Sequence, residues 1–258
     1  SVDERLCYEI AGYGDMRVSR SHGAHCLGWF VGNQPLTGED DAQNSDVLFV
    51  QFPRDVLDVP SNGAMSMHVL DGIAWVLSQR RTHETKVVVN VSYLSPLGPH
   101  DGASIFEQCL DAMIASAAKL GVALQVFLAM GNEYRRRVHG LVPKLQCDGP
   151  CPFGIRLFPA SEVPTFVEIW APDDAPDLVV SVTPPGAIFP VMTTLPDAYT
   201  VWPNATNPAC ALYRSRWAGH KATLTLLRLA PTRNVDSGAV AAVGDWRIEL
   251  SSKQGVPT

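Results

Sequence analysis

The sequence predicts an α/β fold in its first half, followed by an antiparallel β-sandwich. Residues 1–142 alternate short apolar runs with amphipathic stretches, as expected for a parallel sheet with helices on both faces. Beyond residue 142 the apolar segments become short and alternating, and proline- and glycine-rich turns separate them, which is typical of an antiparallel sandwich. Hydrophobic residues make up 46% and charged residues 18% of the 258 residues, so the chain can bury a sizeable core.

The first half contains apolar runs of strand length next to a helical pattern. Residues 47–52 form a short apolar run ended by Pro53, which predicts a buried strand. Residues 65–77 carry apolar side chains at spacings of three and four, which predicts a helix. Residues 86–92 are β-branched and nearly unbroken, which predicts a parallel strand buried on both faces.

The next helix has recognisable start and stop signals. Ser104 and Glu107 form a capping box, and we expect the helix to run to about Leu120, where Gly121 ends it. Residues 122–130 then form the next predicted buried strand. This alternation of strands and helices assigns residues 1–142 to one predicted domain.

The second half is predicted to form a separate all-β domain. A stretch rich in proline, cysteine and glycine predicts a linker over residues 143–163, and residues 164–258 would form an accessory or inserted β-sandwich. The predicted strands are residues 164–170, 178–183, 209–213, 222–229 and 245–250.

Charge and cysteine usage limit the classes of partner. The formal net charge of −6 argues against nucleic acid, and no apolar segment is long enough to span a membrane. Cys26 and Cys109 lie in apolar helical patterns and are interpreted as reduced core residues, which favours a cytoplasmic setting. Cys147 and Cys151 either close a disulfide turn or remain two reduced thiols.

Two short motifs carry candidate chemistry. His22, in the segment Ser-His-Gly-Ala-His-Cys, is followed by small residues and by an apolar stretch that predicts a buried helix up to Val31. A general base needs such small neighbours, because the reacting groups and the substrate chain must approach it closely. Asn132 ends the apolar run Phe-Leu-Ala-Met-Gly-Asn, where a side-chain amide on a rigid element could donate to an oxyanion.

In this order, the two motifs resemble those of the subtilisin-like serine proteases, in particular large bacterial members with an inserted β-domain, so residues 164–258 would form a jelly-roll-like domain of this kind. The resemblance covers roughly residues 17–135 and implies that His22 is the general base and acid and Asn132 the oxyanion donor. It also implies that Ser92, Tyr93 and Leu94 line the substrate backbone as a neighbouring strand. The implied activity is peptide-bond hydrolysis, and the implied partner is a peptide or protein substrate.

The aspartate and the nucleophilic serine of that chemistry are not recognisable. Asp3 and Asp15, the aspartates upstream of His22, do not follow an apolar strand, and the look-alike serines Ser66 and Ser237 lack the expected surroundings. We therefore expect the chain to be an internal fragment of a larger protein and to be inactive alone. Flanking segments or separate chains would supply the two missing groups.

Other interpretations of the same residues remain open. His22 could be an ordinary capping or core histidine, and Gly-Asn an ordinary turn. A His22–His25 metal pair lacks a third ligand in the sequence, so we expect no metal and no cofactor. The alternative function is a non-catalytic, degenerate subtilase scaffold whose β-sandwich binds a ligand or a partner.

Overall fold

The computed structural model describes residues 22–31, 45–52, 64–81, 83–93, 97–132, 134–142, 150–172, 178–193, 199–203, 208–216, 222–233 and 238–252. The chain divides into two compact units, Ser1–Val138 and His139–Thr258. No helix among the described residues is long and apolar enough to cross a membrane.

The first unit contains the helices of the described chain and one parallel strand pair. Its elements are α1 (His22–Phe30), α2 (Ala64–Gln79), β1 (Lys86–Val91), α3 (Ile105–Lys119), β2 (Ala123–Leu128) and a 3₁₀ turn (Tyr134–Arg136). Strands β1 and β2 pair in parallel, from Lys86 opposite Ala123 to Val91 opposite Leu128.

The predicted α/β class, a subtilisin-like parallel sheet with helices on both faces, is wrong. In the described part of the chain the parallel sheet has 2 strands, and most strands belong to antiparallel sheets. Helices α2 and α3 pack against one face of β1 and β2, because their buried residues share one core cluster with alternate strand residues. The opposite face carries exposed side chains such as Val88 and Phe127, so β1 is not buried on both faces.

Residues 47–52 do not form the predicted strand. Their segment lies beside α2, where Asp46 forms a 2.9 Å ion pair with Arg81 at one end. At the other end the ring of Phe52 lies 6.4 Å from that of His68. A Cβ atom at Gly72 would lie only 3.2 Å from Val50 Cγ1, so glycine allows this close approach. Val50 and Phe52 of the run therefore contact α2, while Val47 to Phe49 stay exposed. Composition alone could not distinguish such helix contacts from strand pairing.

Local signals place α3 correctly. The Ser104 hydroxyl accepts from the Glu107 amide at 3.2 Å, and the Glu107 carboxylate accepts from the Ser104 amide at 3.0 Å. The helix ends before Gly121, whose φ of 74° is in the left-handed region that favours glycine. The predicted capping box is thus confirmed.

The described residues of the second unit form two antiparallel sheets of 4 strands each. Buried side chains from both sheets form one core cluster, which includes Val180, Leu227 and Trp246. The strands are β3 (Cys151–Leu157), β4 (Thr165–Pro172), β5 (Leu178–Thr183), β6 (Met192–Thr193), β7 (Tyr199–Trp202), β8 (Cys210–Arg216), β9 (Ala222–Leu229) and β10 (Gly244–Ser252). Their order is β3-β10-β5-β6 in one sheet and β4-β9-β8-β7 in the other.

Strand β3 lies inside the stretch that the sequence suggested as a linker. Its core-facing side chains include Phe153 and Ile155, which alternate with Pro152 and Gly154. Proline lacks the N–H group that a central strand needs, and β3 is an edge strand with β10 as its neighbour. The edge position explains how a segment that contains proline and glycine still forms a strand.

We predict that Cys210 resists alkylation in the folded protein. It is fully buried on β8, and burial raises the pKa of its thiol to about 12, so the reactive thiolate is scarce at neutral pH. Iodoacetamide at pH 7 should modify the exposed Cys109, whereas Cys210 should react only after denaturation. Peptide mass spectrometry measures both sites at once, and equal labelling rates in the native protein would contradict the buried assignment.

Candidate functional site

The carboxyl ends of β1 and β2 form one edge of the parallel sheet. The amide of Ala129 donates to the Val91 carbonyl at 3.1 Å, so the pairing continues just past the end of both strands. The segments that follow, residues 92–93 and 130–132, consequently leave the sheet at the same edge. The chain segments that follow parallel strands meet at the carboxyl ends of those strands, so this edge is the candidate site.

The chain after β1 contributes Ser92 and Tyr93, which are both half-buried. The Ser92 hydroxyl accepts a hydrogen bond from Asn90 Nδ2 at 2.7 Å. Tyr93 packs against the core between the helices and the sheet, which holds this segment in place. Leu94, the third residue expected to line a substrate strand, lies outside the described residues.

The chain after β2 contributes Asn132. The residue is exposed and directly follows Gly131, whose φ of 81° turns the chain in a way that favours glycine. The turn therefore presents the amide to solvent just past the strand. The following arginines, Arg135 to Arg137, are also exposed, as expected of a solvated basic run.

His22 is the first residue of α1 and is exposed. The Sγ atom of Cys26 lies 3.6 Å from its Nε2 and 3.8 Å from its Nδ1. Helix α1 contains no buried residue and its Trp29 side chain is 78% exposed, so the prediction of a buried helix is wrong. A Cβ atom at Gly23 would lie 3.1 Å from Phe49 Cζ, which gives this small residue a packing role.

His25 makes a different contact from His22. Its Nε2 accepts a hydrogen bond from the Trp29 indole at 3.1 Å, and the two rings meet edge to face. That nitrogen is therefore occupied. Within the described ranges, no three or more histidine, cysteine, aspartate or glutamate residues are grouped closely enough to hold a metal ion.

The look-alike residues have other surroundings. Ser66 lies half-buried in the first turn of α2, and Ser237 is outside the described residues, as are Asp3 and Asp15. Asp101 Oδ1 accepts from the Ala103 amide at 3.0 Å, which closes a local turn before α3. Asp101 thus has a local structural role.

The sequence interpretation missed Cys26 as a neighbour of His22. It treated Cys26 as a core residue, but the side chain is half-buried on a helix without buried residues, and Cys109 is exposed on α3. The sequence spacing could have predicted this contact, because residues four apart on a helix, such as His22 and Cys26, lie on the same face.

The comparisons with known proteins concern the fold. The CspB protease of Clostridium perfringens has a similar solved structure, with a TM-score of 0.56 and 17% sequence identity. This chain has a protease-like fold. The likeness covers 73% of this chain and 37% of that one, so the chain spans well under half of the protease it matches. No protein-family model and no curated protein matches the sequence.

Proposed function

We propose that this chain is part of a subtilisin-like serine endopeptidase that hydrolyses peptide bonds. His22 would act as general base and acid, and Asn132 would donate to the oxyanion. Ser92, Tyr93 and Leu94 would line the substrate backbone. The aspartate and the nucleophilic serine would come from flanking segments of a longer parent protein, or from separate chains.

One observation carries the proposal: the segments after β1 and β2 leave the parallel sheet at the same edge, and the second of them ends in an exposed amide. A substrate strand beside Ser92 would then lie on the same edge of the sheet as Asn132. The protease-like fold supports a hydrolytic role at this edge. His22 lies at the start of a helix, next to small residues, and its exposed ring is accessible for proton transfer, with Cys26 Sγ as its neighbour on the helix.

We expect Asn132→Ala to lower turnover of the parent protein by roughly 10²–10³-fold, because it removes one donor that is strongest in the transition state. The Michaelis constant should change little, since the ground-state carbonyl engages this donor weakly. Steady-state kinetics measures both parameters. Arg135→Ala, a substitution at a nearby exposed residue, serves as the control. Full turnover in Asn132→Ala with an unchanged melting temperature would refute the oxyanion role.

The chain by itself should not form an acyl-enzyme. A base and an oxyanion donor without a nucleophile bind a carbonyl but cannot attack it. A fluorophosphonate probe followed by mass spectrometry should find no modified serine in this chain, whereas the parent protein should be labelled at one serine outside it. Stoichiometric labelling of Ser66 or Ser237 would contradict the proposed division of the site.

A non-catalytic scaffold is the second candidate, favoured by the outer face of the β4-β9-β8-β7 sheet. Tyr199 pairs with Tyr213 across neighbouring strands, and Tyr213 pairs with Leu226 on the next strand. The two tyrosines are 65% and 43% exposed, and exposed tyrosines are enriched where proteins bind partners. The same probe separates the candidates, because a scaffold parent would carry no labelled serine.

A further inference from the structure

The outer face of the β4-β9-β8-β7 sheet is apolar, although the side of a sandwich sheet that faces away from the core is normally polar. Val167 and Ile169 of β4 pack against the core, so the alternation of the strand places Phe166 and Trp170 on the outer face. Leu226 of β9 and the two exposed tyrosines lie on the same face. A continuous apolar surface of this kind marks a binding site for another molecule.

Glu168 and Arg228 also lie on this face, in diagonal positions on neighbouring strands, because Phe166 pairs with Arg228 and Glu168 with Leu226. The Glu168 carboxylate accepts from the Trp170 indole at 3.0 Å, which holds it on the face. Arg228 is half-buried, and it forms neither a hydrogen bond nor an ion pair with any residue that the structure describes. A half-buried guanidinium has lost part of its hydration, so it gains from a carboxylate that another molecule supplies.

We propose that the outer face binds the same face of a second copy of this chain, with Arg228 of one protomer opposite Glu168 of its partner. A twofold axis that lies in the plane of the interface and passes between these two residues exchanges their positions, so both ion pairs form at once. The carboxylate keeps lone pairs for the arginine beside its bond to Trp170. This inference concerns the second unit and does not depend on the proposed peptidase function.

The size of the outer face predicts a weak, reversible dimer. At about 3.3 Å per residue and about 4.8 Å between strands, the four strands cover roughly 430 Å² of sheet plane. Two apposed faces bury on the order of 1,000 Å² in total, which is at the low end for specific interfaces. We therefore expect a monomer–dimer equilibrium that shifts with protein concentration.

Sedimentation velocity of the chain over a range of concentrations measures this equilibrium. Arg228→Glu should raise the dissociation constant of the dimer at least about 10-fold, because it removes two ion pairs and places carboxylates opposite each other. The exchanged variant Glu168→Arg/Arg228→Glu should recover most of the lost affinity, since the pairs form again with their signs reversed. Arg156→Glu, a substitution on the outer face of the other sheet, is the matched control and should leave the equilibrium unchanged.

The melting temperature of each variant shows whether its fold is intact. If Arg228→Glu lowers that temperature, Arg228→Gln removes the ion pairs without adding a like charge, and it should also weaken the dimer. A chain that sediments as a monomer at every concentration would overturn the proposal and leave a different protein as the occupant of the face. The proposal also fails if the folded Arg228 variants dimerise like the original chain, if the exchanged variant recovers no affinity, or if Arg156→Glu dissociates the dimer to the same extent.

Discussion

His22→Ala should remove nearly all peptidase activity from the parent protein, with turnover falling on the order of 10⁶-fold. The base takes the proton from the attacking serine and later gives it to the leaving amine, so its loss disables two steps. The residual rate would come from substrate binding and the oxyanion donor alone. Steady-state hydrolysis of a peptide substrate measures the effect, and fluorophosphonate labelling of the serine should slow in parallel.

His25→Ala is the matched control, because it removes the same type of side chain from the same exposed helix. It should retain turnover, since its contact is with the Trp29 indole. Neither substitution should change the free energy of unfolding by more than about 0.5 kcal/mol, as both side chains are exposed. Equal losses of activity in the two variants would show that disturbance of α1, and not the missing base, is responsible.

Trp246→Ala should lower the free energy of unfolding of the second unit by about 3–5 kcal/mol. The side chain is fully buried on β10, an inner strand, and belongs to the core formed by both sheets. Its ring meets that of Trp202 edge to face at 6.5 Å, and its indole donates to the Ala242 carbonyl at 2.9 Å. Truncation removes these contacts and leaves a cavity that a rigid sheet pair fills poorly.

Denaturant unfolding followed by circular dichroism measures this loss. Trp246→Phe keeps an aromatic ring and should cost clearly less than the alanine variant, because most of the cavity stays filled. Trp29→Ala removes the same side chain from an exposed site and should change the free energy of unfolding by less than about 0.5 kcal/mol. A Trp246→Ala variant as stable as Trp29→Ala would mean that the two-sheet core is not packed as described.

Local features of the fold could be predicted because they depend on neighbouring residues. The helix predicted over residues 65–77 lies within α2, which spans Ala64–Gln79, and the capping box starts α3. Strands at residues 178–183 and 222–229 have the predicted bounds, since turn residues flank apolar segments there. Strands β3, β6 and β7 were missed: β3 is interrupted by Pro152 and Gly154, and the other two have 2 and 4 residues.

By itself, the sequence determined these helices and strands and the capping box that starts α3. Only the tertiary structure decided that residues 47–52 pack on a helix, that α2 and α3 share one face of the parallel strands, and that β3 is an edge strand. The physical reason is that hydrophobic periodicity shows which faces of a segment are apolar, whereas burial depends on which distant segment covers each face. The pattern of an apolar run such as residues 47–52 is compatible with a strand or with a segment packed on a helix. The segments that contact the run decide which of the two forms.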